Sequence, residues 1–200
     1  MRLLLVRHGE STANRDRRVL GRSLNVALTD RGRRQALDAA QLVASLSQGS
    51  AKVYCSDSVR ARQTAEVIGR LLGVSVEATE LLREQYLGDL EGRAVSELRA
   101  LPTPEGLHVT EVGWGGGESI EQVAVRMRRL LAWLAVREPS PETVVLVGHG
   151  DALCVLLAVL AGRTHRDVDF GTDSLELGGV RLVEWSPQES RAGGGAGQRT

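Results

Sequence analysis

Apolar positions along the chain follow two periods. Leu3, Leu4, Leu5 and Val6 form a short continuous run ending at Arg7-His8-Gly9, the pattern of a strand buried on both faces that runs into a loop. Thr143 to Val147 repeats it and ends at Gly148-His149-Gly150. Between these runs the period changes. Thr29-Asp30-Arg31-Gly32 precedes Ala36, Leu37, Ala40, Val43, Ala44 and Leu46, which predicts a helix from near Asp30 that fades by Gln48-Gly49. Lys52 to Cys55 reads as a second strand. Ser58 to Leu72 reads as a helix stopped by Gly73, and Val74 to Val76 as a short strand.

From Leu87 to Gly117 the periodicity is broken by Pro102, Pro104 and Gly113-Trp114-Gly115-Gly116-Gly117, which predicts an excursion over one edge of the core. In it, Leu101, Leu107, Val112 and Trp114 either line an apolar lid over a ligand or pack the lid down. Ser119 then caps a helix carrying Ile120, Val123, Met127, Leu130, Leu131 and Leu134, which ends before Pro139 and Pro141. Ala152 to Leu160 predicts one more helix and Arg181 to Trp185 a last strand. Strands alternating with helices predict an α/β fold: a three-layer α/β/α domain with a mostly parallel central sheet and a short lid excursion. Residues 1–185 are assigned to that one domain. Ser186 to Thr200, rich in Gly, Ser, Gln and Arg, reads as a disordered tail.

The chain has 200 residues, 42% of them hydrophobic, which suits one domain with a substantial core. Its 25 basic and 25 acidic residues cancel, so the overall charge favours neither nucleic acid nor an anionic membrane surface, and any positive site must be local. No apolar run reaches the ~18 residues of a membrane span, and Met1 opens directly onto a strand pattern. A cytoplasmic protein is the expectation. Cys55 and Cys154 lie in apolar stretches and read as buried free thiols.

Ligands of open parallel sheets bind in the crevice at the carboxyl ends of the strands, which is where His8 and His149 fall. Ser56 to Arg62 also follows a strand and can bring Arg60 to the same edge. Two arginines and two imidazoles suit a tetrahedral dianion, so the crevice reads as a phosphate pocket. Nearby cations such as Arg7 and Arg60 would keep His8 neutral, the state in which its nitrogen can attack phosphorus. Glu84 is the best carboxyl candidate for the acid that protonates a leaving alkoxide. Taken singly, each piece has an ordinary reading as a hydrogen-bonded loop histidine, solvated arginines or a surface glutamate. Their conjunction in order along the chain favours the chemical one.

Arg7-His8-Gly9-Glu10-Ser11-Thr12-Ala13-Asn14, with Arg18, Gly21, Leu28-Thr29 and Gly32 to Ala36 in register, resembles the signature of the histidine phosphatase superfamily, which includes the cofactor-dependent phosphoglycerate mutases and many small phosphatases. Arg60-Ala61, Thr64-Ala65, Glu84, Gly88, Glu91-Gly92, Gly117-Glu118-Ser119, Arg126 and Gly148-His149-Gly150 continue the match. The resemblance implies that His8 is phosphorylated, that Arg7, Arg60 and His149 hold the phosphoryl group, and that Glu84 is the acid and then the base. It places Asn14 and the backbone around Gly21 and Gly150 along the substrate. It also implies no metal and no other cofactor. The partners expected are a small phosphorylated metabolite and a second copy of the chain in a homodimer, with neither nucleic acid nor membrane. His108 and His165 match nothing and are read as solvated loop residues. The expected activity is metal-independent hydrolysis of a small phosphomonoester, with mutase-type transfer and a non-catalytic phosphate-binding module as the alternatives.

Overall fold

The computed structural model describes residues 1–99, 102–138 and 142–186. Leu101, Pro139, Pro141 and the predicted tail from residue 187 onward lie outside the described residues. Five strands, β1 (Arg2–Arg7), β2 (Ala51–Cys55), β3 (Val76–Ala78), β4 (Thr143–Gly148) and β5 (Val180–Glu184), form one sheet in the order β3-β2-β4-β1-β5. All neighbours are parallel except β5, which runs antiparallel to β1. The helices are α1 (Thr12–Arg15), α2 (Asp30–Leu46), α3 (Val59–Leu72), α4 (Ile120–Arg137) and α5 (Gly150–Leu160).

Because strand side chains alternate between faces, β1 feeds two cores. Leu3 and Leu5 pack with Met127, Leu130 and Leu134 of α4 and Leu153 and Leu156 of α5. Leu4 and Val6 pack with Ala39, Ala40 and Val43 of α2 and Ala61, Ala65 and Ile68 of α3. The result is the predicted three-layer α/β arrangement, and each large apolar side chain buried in it contributes about 1.5–3 kcal/mol. Among the described residues no helix is long and apolar enough to cross a membrane.

The register of the two central strands places the chemistry. Val6 pairs with Val147 and Arg7 with Gly148, so the next residues out of the sheet, His8 and His149, emerge side by side. The loop after β1 then rests on the first turn of α2, where a Cβ on Gly9 would lie 2.2 Å from the Gly32 carbonyl oxygen and one on Gly32 would lie 2.0 Å from that of Glu10. Only glycine permits this approach.

Boundaries differ from the sequence reading where caps intervene. Gly73 closes α3 in the left-handed conformation and Val74 N–H donates to the Gly69 carbonyl, so Val74 belongs to the helix end and β3 starts at Val76. The sequence pattern carries no sign of the short helix α1, which a reciprocal Ser11–Asn14 capping box opens. Among its described residues the excursion holds four single-turn helices, Gly88–Leu90, Val95–Glu97, Val109–Glu111 and Trp114–Gly116. Its two ends meet at a seam: a Cβ on Gly88 would lie 1.8 Å from the Gly115 carbonyl oxygen, and Glu118 N–H donates to the Tyr86 carbonyl at 2.7 Å.

Candidate active site

His8 is 3% exposed and its Nδ1 lies 2.7 Å from the Gly9 carbonyl oxygen. A carbonyl only accepts, so Nδ1 carries the proton and Nε2 presents a lone pair. Arg60 Nε donates to that lone pair at 3.3 Å. Burial first, then the Arg60 charge, with Arg7 adding to them, pulls the His8 pKa down to about 3 against the Gly9 hydrogen bond. The imidazole is therefore neutral at ordinary pH, as a nitrogen nucleophile requires.

Arg60 is only 1% exposed. Its guanidinium donates to the carbonyls of Gly21 and Ser23, and burial draws it down to about 10 while the Glu84 and Glu91 charges oppose that fall. It stays a cation. Arg7 donates to the Leu175 carbonyl at 2.7 Å and lies against Gly150, where a Cβ would sit 3.2 Å from the guanidinium. His149 stands edge-on to His8, ring centroids 5.1 Å apart, with its Nε2 3.4 Å from the Ser58 hydroxyl. Burial, then Arg60, then His8 lower its pKa well below the histidine range.

Among the described residues, two buried side-chain atoms lack a hydrogen-bond partner, Arg7 Nε and His149 Nδ1. Burying a polar group unpaired costs about 1–3 kcal/mol, and both orphans belong to the cluster at the mouth of β1 and β4. A tetrahedral oxyanion beside His8 would satisfy such groups.

Glu84 follows the one-turn helix Glu80–Leu82. Its carboxylate accepts the N–H of Gln85 at 2.9 Å, of Asp151 at 3.3 Å and of Ala152 at 3.0 Å, so it caps α5 from outside the helix. Arg126 of α4 holds this segment by donating to the carbonyls of Leu81, Arg83 and Glu84 while pairing with Glu118 at 2.9 Å.

A profile of the histidine phosphatase superfamily, branch 1, matches residues 3–192. The chain belongs to that superfamily. Among relatives of this chain, the "Probable phosphoglycerate mutase GpmB" of Erwinia tasmaniensis is 38% identical over 167 residues, which cover 81% of this chain and 75% of the relative. The protein of the same name from Photorhabdus laumondii is 36% identical over 166 residues with the same coverage. Of solved structures, a mycobacterial glucosyl-3-phosphoglycerate phosphatase in complex with VO3 matches with TM-score 0.79 and 29% identity over 92% of this chain and 90% of that one. A structure titled mycobacterial hydrolase 1 matches with TM-score 0.78 and 29% identity over 90% and 89%.

In this member of the superfamily, Arg7, His8, Arg60 and His149 fall in one cluster, with Glu84 at the N-terminus of the helix that follows His149. Asn14 gives its amide oxygen to Ser11 N–H at 3.0 Å, which leaves the amide nitrogen for a ligand. The Gly21 carbonyl is taken by Arg60. His108 and His165, read from the sequence as solvated loop residues, are half-buried and each has a polar partner. His108 Nδ1 lies 2.7 Å from the Thr110 hydroxyl, and His165 Nε2 3.1 Å from Glu111, tying the excursion to the loop after α5. The neighbours that sequence reasoning gave no role are Ser58, Arg22 and Asp151. Arg22 pairs with Glu118 at 2.6 Å and donates to the Glu84 carbonyl at 3.2 Å. No periodic pattern marks such residues, because their partners are distant in sequence. Among the described residues no three His, Cys, Asp or Glu side chains gather to hold a metal ion.

Proposed function

We propose that the protein hydrolyses a small phosphomonoester in two steps through a phosphohistidine on His8. The observation that carries this reading is the His8 lone pair at Nε2, unprotonated by burial and flanked by Arg60 at 3.3 Å. Substrate oxygens take the guanidinium donors of Arg7 and Arg60 and a proton of His149. The guanidinium that masks Nε2 is drawn to the phosphoryl group and the lone pair is freed. Nε2 then bonds to phosphorus as the ester P–O bond breaks and the departing alkoxide takes a proton from the acid at Glu84. Water next attacks phosphorus, loses a proton to that same site, and the Nε2–P bond breaks to release inorganic phosphate. Donors fixed before the reaction stabilise charge that spreads over the phosphoryl oxygens.

Hydrolysis is favoured over mutase transfer by the excursion. A mutase retains its phosphoenzyme while an intermediate with two anionic groups turns round, which requires cations to hold the second group. Arg93 instead donates to the Asp89 carbonyl, and Arg99 to the carbonyls of Ser96 and Leu98, all locally on exposed surface. The names of the relatives favour the second reading, transfer between positions of a phosphoglycerate. A phosphorus NMR time course with a phosphoglycerate separates the two. Inorganic phosphate appearing ahead of the positional isomer, with little stimulation by a bisphosphorylated primer, supports hydrolysis, and isomer ahead of phosphate overturns it. Turnover of a panel of phosphorylated metabolites then identifies the alcohol part.

A further inference from the structure

The proposed reaction takes a hydrogen bond from His149, and a neutral imidazole has only one N–H to give. The ring is 1% exposed, and burial, with the Arg60 charge behind it, keeps it neutral. Which of its two nitrogens bears the proton therefore decides what the ring can do. Their surroundings differ. Nε2 lies 3.4 Å from the Ser58 hydroxyl, whereas Nδ1 is buried with no hydrogen-bond partner.

Ser58 is itself 1% exposed. It is the N-cap residue of α3, yet its side chain makes no capping bond, so the helix it opens does not hold the hydroxyl. Ser56, fully buried beside it, does engage it: Ser58 N–H donates to Ser56 Oγ at 3.3 Å, and Ser56 Oγ donates to Ser58 Oγ at 3.5 Å. A hydroxyl has one proton and two lone pairs. With a lone pair of Ser58 taken by Ser56, the Ser58 proton still needs an acceptor, and among the described residues the one within reach is His149 Nε2. Were Nε2 the protonated nitrogen, the Ser58 proton and the Nδ1 lone pair would both be buried unpaired. Buried polar groups are rarely left so. The bonds are long, but they close in one direction only, from Ser56 to Ser58 to Nε2, which leaves the ring proton on Nδ1.

We propose that Ser58 is a positioning residue that fixes His149 in its Nδ1–H tautomer, and that this Nδ1–H is the donor a phosphoryl oxygen of the substrate takes. The proposal deepens the phosphatase reading and rests on it for the identity of the acceptor. Ser58 acts through His149, and neither residue gives up a proton in either half of the reaction. At His8 the Gly9 carbonyl plays the corresponding part, keeping the proton on Nδ1 and Nε2 bare. The two imidazoles thus share a tautomer and divide the work: His8 offers its bare nitrogen to phosphorus, and His149 its protonated one to the oxygens. A donor whose tautomer is set beforehand needs no rearrangement as charge spreads over those oxygens.

The tautomer is read without substrate, by nitrogen NMR of histidine-labelled protein at neutral pH, the His149 signals being those lost in His149→Ala. A protonated Nδ1 in the wild type, replaced in Ser58→Ala by a mixture of the two tautomers or by the Nε2–H form, supports the proposal. A wild-type ring protonated at Nε2, or a Ser58→Ala ring unchanged from the wild type, overturns it. Vanadate added to the wild type should shift the Nδ1–H signal, and an unmoved signal at saturating vanadate overturns the donor assignment. In turnover, Ser58→Ala should lower kcat by about tenfold, by the same factor on alkyl phosphates and on nitrophenyl phosphate, because a donor to the phosphoryl oxygens acts whatever the leaving group. Undiminished activity, or a loss confined to alkyl phosphates, overturns the proposal. A chain that turns over no phosphomonoester at all would sink the phosphatase reading, and the ring-nitrogen signals with and without vanadate would still decide the tautomer and the donor.

Discussion

Arg60 Nε donates to His8 Nε2 across 3.3 Å, so a cation lies on the electron pair that would attack phosphorus. On the proposed reading, a bound dianion would draw the guanidinium away and open the attack position. The same guanidinium that masks the nucleophile is the one that would bind its target.

The first expected outcome concerns the covalent intermediate. Brief incubation with a labelled phosphomonoester should leave acid-labile, base-stable phosphate on the wild-type chain and none on His8→Ala, which should lose essentially all turnover. His149→Ala removes a donor and leaves the nucleophile, so it should retain a trace, with kcat down about 10²–10³-fold. Labelling of His8→Ala equal to wild type would remove His8 from the mechanism.

Charge compensation by Arg7 and Arg60 leads to a second. Vanadate, which copies the five-coordinate transition state, should inhibit well below the substrate KM, and activity should survive exhaustive chelation. Activity lost in chelator and restored by added metal would contradict the pocket. The mycobacterial phosphatase that this chain resembles was itself solved with VO3.

Glu84→Gln isolates the proton. Alkyl phosphates should suffer severely, by about 10²–10⁴-fold, and nitrophenyl phosphate far less in its burst phase. Similar losses in both would move the acid elsewhere.

Acid should weaken the fold by way of His8. Its pKa is depressed in the folded chain, from 6.5 to about 3, so its contribution to stability is fully present above the unfolded value and lost as pH falls from there toward the folded one. From pH 8 to pH 5 the loss should be about 2 kcal/mol for this residue. Urea midpoints across that range should fall less steeply for His8→Asn than for wild type. A parallel decline in both would show that the imidazole takes up its proton without cost in the folded chain.

Arg126→Lys tests the brace behind Glu84. Lysine cannot reach Glu118 and the carbonyls of Leu81, Arg83 and Glu84 together, so the variant should lose about 2–3 kcal/mol of stability and discriminate against alkyl esters as Glu84→Gln does. Stability lost without that discrimination would make Arg126 a fold residue only.

Much of this was legible in the sequence because it depends on local pattern. The runs at Leu3–Val6 and Thr143–Val147 imply neighbouring parallel strands, and once they pair, His8 and His149 must emerge together. Glu84 was legible as a carboxyl but not as the N-terminal cap of α5, since its partners Asp151 and Ala152 lie 67 and 68 residues away. Ser58 beside His149 and Arg22 beside Glu118 were invisible for the same reason. His165 joins Glu111, 54 residues upstream, a contact of which an isolated histidine in a polar loop carries no local sign.

The seam at Gly88 and Gly115 bears on how such a protein acquires new substrates. The two ends of the excursion are fixed to each other by backbone contact, on the same segment that carries Glu84. Everything between them forms a closed loop whose length adds only slowly to the entropy of closure, about 0.6 kcal/mol for each doubling. Insertions, deletions and exchanges there should leave Glu84 where it is. On the proposed function, substrate range could therefore drift by loop remodelling while the phosphoryl chemistry is inherited unchanged.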